Sequence, residues 1–436
     1  MESRRTNLWK YILPTVAGSC STFLYVVVDG IFVGQGVGVD ALGAVNLAMP
    51  FTLLMGAFAI LMAIGGVTIT AIRIGRGDTK GANDSFMHAM VASLLIAVIM
   101  MAIGMVFSKQ VAVISGANDT FLAMTSEYIF YCSAFSFPLI FSVIIQGFIR
   151  NDGSPVLVGV AVITAALANV FLDWLFIFPF HMGVKGAAIA SGIGEISGVL
   201  IMMTHFIRRK GVLRFQKCSF SLPLIGKILK RGLPEMISQF GTPITTLCMN
   251  YVLIDSLGDI AVSAFGVISY LFAFSMGIFF GVSEGLQPLF GQSYGRRNES
   301  DLRYYFRAGL IINLISSCVI YAVFVIFGKY ICSLFNSDTL LIQTAAAALP
   351  EFGWAFLLVA LNLITSSYFY STKRTVQAVV LALCRCVAFN SLVILLLPAV
   401  FGKGIIWYTA GIAELLSFIV AVALLKYSER NGILFH

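Results

Sequence analysis

The sequence predicts an all-α membrane protein of twelve transmembrane helices, arranged as two parallel six-helix repeats. Three observations carry that reading. Of 436 residues, 59% are hydrophobic and 11% charged, with a mean hydropathy of +0.94, whereas soluble domains carry about 25% charged residues. Apolar windows near the ~20 residues that cross a bilayer as a helix recur along the whole chain. Finally, the chain resembles itself when shifted by 220 positions.

In order, the windows fall near 11–33, 42–72, 86–107, 125–149, 156–178 and 184–207, then 233–257, 261–290, 305–327, 341–370, 376–400 and 405–425. The second and eighth exceed the bilayer's thickness, so they tilt or project from it. The first apolar segment is long enough to span, and no small-residue cleavage site stands out, so no cleavable signal peptide is expected. Three regions result: an N-terminal six-helix lobe (1–207), a cytoplasmic basic linker (208–232) and a C-terminal six-helix lobe (233–436). Within the linker, LPLIGKILKRGLP reads as an interfacial amphipathic helix or as a plain positive-inside anchor.

Under the 220-residue shift Leu13-Pro14 falls on Leu233-Pro234, Gly75-Arg76 on Gly295-Arg296, and Phe107 with Lys109 on Phe327 with Lys329. A slip of one residue either way brings Asn169 onto Asn390 and Glu195 onto Glu414. An even number of spans gives both copies one membrane orientation, which makes them parallel repeats with a binding site expected at their interface.

The basic residues give the orientation. Loops on one side hold only Lys109, Lys185, Lys329 and Lys403. The other side holds Arg73, Arg76, Lys80, Arg150, the cluster from Arg208 to Arg231, and Arg296, Arg297, Arg303, Arg307, Lys373 and Arg374. Positive charge stays inside, so both termini are expected in the cytoplasm of a prokaryotic cell, with the chain in its plasma (inner) membrane. The net charge of +8 is thereby a topology signal, and no nucleic-acid partner is implied. The eight cysteines are scattered without a CxxC, and histidines number four. Neither a disulfide frame, a zinc site nor a nucleophile–base constellation emerges, which argues against an enzyme and against a bound cofactor.

Polar residues inside the apolar windows are the candidates for function, because a charge at mid-bilayer costs about 2.5–3.5 kcal/mol even on insertion scales. Asp29 interrupts YVVVDGIFVG in the first window. Asn169 and Asp173 lie four apart in ALANVFLDWLFIF, hence on one helix face. Counted from the outer helix ends, both acids sit roughly 7–8 Å deep and Ser191 roughly 10 Å. Oxygen groups at one depth suit a small hard cation, and two adjacent carboxyls can instead share a proton. The second half lacks these acids, for Asp29 falls on Met249 and Asp173 on Ile394. Glu195 and Glu414 occur in both copies and read as fold residues. Arg385, alone among basic residues deep in a window, is expected to pair with Glu414. Glu284 and Gln146 are candidate cavity residues.

The stretches VVVDGIFVG, IGRGD, IRNDGSP, NVFLD, GVKGAAIASGIGE, LQPLFGQSYG and SYFYSTKR resemble, in order and spacing, the multidrug and toxic compound extrusion (MATE) transporters over essentially the whole chain. The resemblance implies two six-helix lobes around a central cavity and export coupled to Na⁺ or H⁺. It implies a first-lobe cation site at Asp29, Asn169, Asp173 and Ser191, although the last position is usually Thr, and these would be the metal ligands if Na⁺ is the coupling ion. It also implies a first-helix hinge at Pro14 and a cavity tyrosine at Tyr25. Another branch carries acids in the seventh and tenth helices, where this chain reads TTLCMNYV and AFLLVALNL without any. The function expected is a monomeric, multi-pass antiporter in the lipid bilayer that exports organic, cationic, amphipathic compounds. The rival is a lipid-linked saccharide flippase of the same superfamily.

Overall fold

The computed structural model describes residues 4–257, 259–333 and 339–430, all helical or irregular with no strand among them. The chain divides into two compact units, Met1–Gly232 and Leu233–His436.

The first unit contains α1 (Arg4–Gly36), α2 (Val39–Gly75), α3 (Thr79–Val106), α4 (Ser108–Ile114), α5 (Asp119–Ala134), α6 (Ser136–Asn151), α7 (Pro155–Ile177) and α8 (Val184–Ile207). Helix α9 (Leu222–Gln239) begins in it. The second unit contains α10 (Gly241–Leu257), α11 (Asp259–Gly295), α12 (Glu299–Ser333), α13 (Thr339–Gly353), α14 (Ala355–Ser371) and α15 (Thr375–Leu383). A π turn, Cys384–Phe389, leads into α16 (Asn390–Phe401), and a 3₁₀ turn, Lys403–Tyr408, into α17 (Thr409–Arg430).

Among the described residues, nine helices are individually long and apolar enough to span, and two bent pairs bring the number to eleven. The windows at 125–149 and 341–370 are those pairs, α5–α6 bent by 52° and α13–α14 by 42°. The first bend has a local cause, since Pro138 has no N–H to give the Ala134 carbonyl. The window at 233–257 is divided between the end of α9 and the 17 residues of α10, because Pro243 cannot donate to the Gln239 carbonyl. The linker is not one helix: residues 208–221 form an irregular strap, and the helix starts only at Leu222.

That strap is held to the first unit by buried side chains. Asp152, from the IRNDGSP stretch, accepts from Val212 N at 2.7 Å and Leu213 N at 3.1 Å and meets His205 Nε2 at 2.9 Å. Asn83 donates to the Val212 carbonyl and accepts from Arg214 N. His88 Nε2 lies 2.8 Å from Ser221 N. Helix α9 then buries Leu224 and Ile228 and exposes Lys227 and Lys230, so it is amphipathic, with its narrow apolar face packed on the first unit.

The backbone carries the internal repeat as clearly as the side chains do. Left-handed residues recur at Gly77 (φ 76°) and Arg297 (φ 56°), at Gly153 (φ 88°) and Lys373 (φ 63°), and at Gly183 (φ 64°) and Gly402 (φ 92°). The first two pairs stand 220 residues apart and the last 219. Between the second and third pairs lies the π turn, whose extra residue explains why Asn169 and Asn390 are 221 apart.

In the first unit α7 packs against both α1 and α8, and small residues allow the close approach. A Cβ on Gly159 of α7 would stand 2.8 Å from the Pro14 carbonyl oxygen and 2.9 Å from the Pro14 Cβ. Proline in α1 and glycine in α7 thus meet backbone to backbone.

Candidate functional site: a paired carboxyl cluster in the first unit

The α1–α7–α8 packing brings four sequence-predicted residues together. Asp29 and Asp173 lie within hydrogen-bonding reach of each other across α1 and α7. One turn before Asp173, Asn169 faces α8. Oriented to satisfy both ends of its amide, it donates to Asp173 Oδ2 at 3.2 Å and accepts from Ser191 Oγ at 3.1 Å and Ser191 N at 3.2 Å. Asp173 is fully buried and Asn169 nearly so.

Two oxygens remain buried without a partner, Asp29 Oδ1 and Asp173 Oδ1. A buried carboxylate oxygen with no donor is costly, and two carboxyls this close cannot both keep a negative charge in a low dielectric. A single monovalent cation or a shared proton removes the cost. The donor set is all oxygen, as Na⁺ coordination requires, so the residues fit either ion as cargo.

Sequence reasoning missed two neighbours on α5. Tyr128 lies within electrostatic reach of both carboxyls, and Cys132, hydrogen-bonded to Tyr128, within reach of Asp29. Nothing in their spacing marks them, because the bend between α5 and α6 decides which face of α5 turns inward.

Tyr25, one turn before Asp29, lies within electrostatic reach of Glu195 and of the two aspartates. Glu195 of α8 is hydrogen-bonded with Ser142 of α6, and Gln146 donates to the same hydroxyl at 3.2 Å. Tyr25, Gln146 and Glu195 therefore form a second polar group one step from the aspartate pair. Glu284 belongs to the second unit, where it interacts electrostatically with Glu235. Pro14 sits about four turns before Asp29, against Gly159.

In the second unit Arg385 Nε reaches Glu414 at 2.9 and 3.0 Å, and Asn362 donates to Glu414 Oε2 at 2.7 Å. Arg385 projects from the π turn, which sequence periodicity did not foresee. Where the first unit has its acid pair, the second packs Met249 and Ile394, both fully buried.

Comparison with known proteins finds relatives over nearly the whole chain. The chain is 25% identical over 428 residues to the multidrug export protein MepA of Staphylococcus aureus (strain MRSA252), covering 97% of this chain and 93% of that one. The MepA of Staphylococcus haemolyticus (strain JCSC1435) is 24% identical over 427 residues with the same coverage. Among solved structures, an outward-facing multidrug resistance MATE family transporter of the MOP superfamily superimposes with a TM-score of 0.92 at 23% identity, over 99% of this chain and 96% of that one. The MatE family profile matches residues 14–175 and 234–396, one match in each unit, so the chain belongs to the MATE family of multidrug efflux transporters.

Proposed function

We propose that the protein is a cation-coupled antiporter that exports organic, cationic, amphipathic compounds in exchange for Na⁺ or H⁺ by alternating access. The observation that carries this reading is the Asp29–Asp173 contact with its two unpartnered oxygens. Entry of an ion or proton removes the repulsion between the carboxyls and draws α1 onto α7. Pro14, whose missing N–H interrupts the hydrogen-bond ladder of α1, is where α1 yields. An ion shifts such an equilibrium only by its difference in affinity for the two states, and a site shared between α1 and α7 supplies that difference when α1 moves.

The saccharide flippase reading would need a cation for pyrophosphate. Arg385, the basic residue deepest in a span, is engaged by Glu414, which favours efflux of cations. The positive-inside distribution supports a plasma-membrane protein with both termini in the cytoplasm. In a background without reactive cysteines, a cysteine at Gly116 should react with impermeant thiol reagents in intact cells, and cysteines at Gly81 or Asn298 should not. Labelling at position 81 would reverse this orientation.

The decisive experiment reconstitutes wild type, Asp29→Asn and Asp173→Asn in proteoliposomes and imposes a Na⁺ or a pH gradient separately. Wild type is expected to export a cationic dye under one of the gradients and both variants to lose gradient-driven export. Full export by either variant would overturn the mechanism.

A further inference from the structure

The turns that close the two bent spans, residues 151–154 and 371–374, are register counterparts built on the same left-handed residue, Gly153 or Lys373. In the first unit the turn carries an acid, and the chain supplies its donors: Asp152 takes Val212 N, Leu213 N and His205. In the second unit Thr372 replaces that acid, and Arg374 stands where the first unit has Ser154. The charge has changed sign, and no acceptor has come with it. Arg374 is 2% exposed, and its Nε and Nη2 are buried without a hydrogen-bond partner. Three residues earlier the fully buried Ser371 Oγ is also without one, although a helical serine ordinarily turns its hydroxyl to the carbonyl four residues back.

A guanidinium does not shed its charge when buried, so two of its donors are left without solvent or acceptor, a costly state. The Tyr368 ring, 5.0 Å from Arg374 Cζ, offers π electrons to the charge but satisfies neither Nε nor Nη2. The backbone adds to the positive potential. Arg374 is the N-cap of α15 and caps none of its N–H groups, which form the positive end of the helix dipole. Packed on α15 are α14, the π turn and α17. Neither α14 nor the π turn contains an acid, and in α17 the described acid, Glu414, is held by Arg385. Lys373 and Val376 on either side are exposed, so the buried guanidinium lies next to the surface at the ends of two helices.

We propose that Arg374, with Ser371 and the N-terminus of α15, forms a binding site for a phosphate group at the cytoplasmic end of the second unit. The guanidinium fork matches two oxygens of a phosphate, the Ser371 hydroxyl can donate to a third, and a helix N-terminus favours the same anion. An anionic phospholipid headgroup and free inorganic phosphate present this chemistry alike. The exposed Lys373 and Val376 beside Arg374 suit a headgroup, one by its charge and the other by its apolar surface. The site is separate from the Asp29–Asp173 pair and independent of the coupling ion and of the exported compound.

The test uses purified full-length protein, delipidated in a maltoside detergent free of phosphate. Melting is followed against sodium phosphate or sodium chloride at equal ionic strength, and separately against phosphatidylglycerol or the phosphate-free digalactosyldiacylglycerol. Wild type is expected to gain stability, saturably, from phosphatidylglycerol but not from the galactolipid. A gain from sodium phosphate alone would support the site with the free anion as its ligand, and a gain from both would support it for either source. Arg374→Gln should bind the stabilising probe about 10- to 100-fold more weakly, the range for hydrogen bonds to a charged group. Without probe it should melt no lower than wild type, because it removes an unpaired buried charge. Arg374→Lys, which keeps the charge and loses the fork, should fold as wild type and bind several-fold more weakly. Wild type unmoved by both phosphate probes overturns the proposal, as do variants that respond like wild type. An Arg374→Gln protein that melts below wild type in phosphate-free detergent would make Arg374 a structural group and also overturn it.

Discussion

The two units are the same six-span design with opposite electrostatic solutions. In the second unit Glu414 is closed off: Arg385 and Asn362 satisfy it, and Met249 and Ile394 fill the place of the aspartates. In the first, three carboxyl groups share α1, α7 and α8 without a basic partner at their level among the described residues, and two of their oxygens are orphaned. At the equivalent place one copy of the repeat sets an arginine against its acid, while the other leaves two carboxyl oxygens buried without a partner.

Three stability measurements would break or sharpen that contrast, beyond the efflux experiment on Asp29 and Asp173. The largest change is expected at the buried ion pair. Arg385→Ala or Glu414→Ala should each cost about 3–5 kcal/mol, because each strands a buried charge, and the exchange Arg385→Glu with Glu414→Arg should recover part of it. Glu195→Gln, which strands no charge, should stay within about 1 kcal/mol of wild type. Equal losses at Glu195 and Glu414 in detergent melting would erase the distinction between the units.

The next effect concerns the α1–α7 contact. The register position of Gly159 in the second unit is Val379, whereas Pro14 and Pro234 are both prolines. Gly159→Val forces a side chain into the Pro14 backbone and should destabilise the first unit by about 1–3 kcal/mol. A melting temperature like wild type's would show that α1 and α7 are not so closely packed.

An effect of similar size is expected in the strap. The counterpart of Asp152 is Thr372, so the carboxylate that gathers Val212 N, Leu213 N and His205 belongs to the first unit alone. Asp152→Ala should cost about 1–3 kcal/mol and speed protease cleavage between residues 208 and 221. Unchanged cleavage would mean that Asn83 and His88 suffice to hold the strap.

Much of this was legible in the chain, and for a definite reason. Burial in lipid leaves a helix as the economical conformation for a single spanning segment, so apolar windows and their spacing mark the spans. An i,i+4 pair such as Asn169 and Asp173 must share a face. The repeat was visible because both copies keep the same turns, down to the left-handed residues at 77 and 297 and at 153 and 373. A lone acid in an apolar run is so costly that the sequence pattern suffices to single out Asp29. Glu195 and Glu414, by contrast, looked equivalent.

What tertiary structure decided was rotation and register. A sequence does not state how α1 turns about its axis against α7, so the contact of Asp29 with Asp173, and the place of Tyr128 and Cys132 beside it, follow only from the packed backbones. Nor does it show that α5 bends into α6, that residues 208–221 are a strap, or that a π turn carries Arg385 to Glu414. Each depends on interactions between segments distant in sequence, whereas helical periodicity encodes only the four residues on either side. The apolar pattern and the repeat determined which helices exist; the close packing of glycine, alanine and proline backbones determined which charges meet.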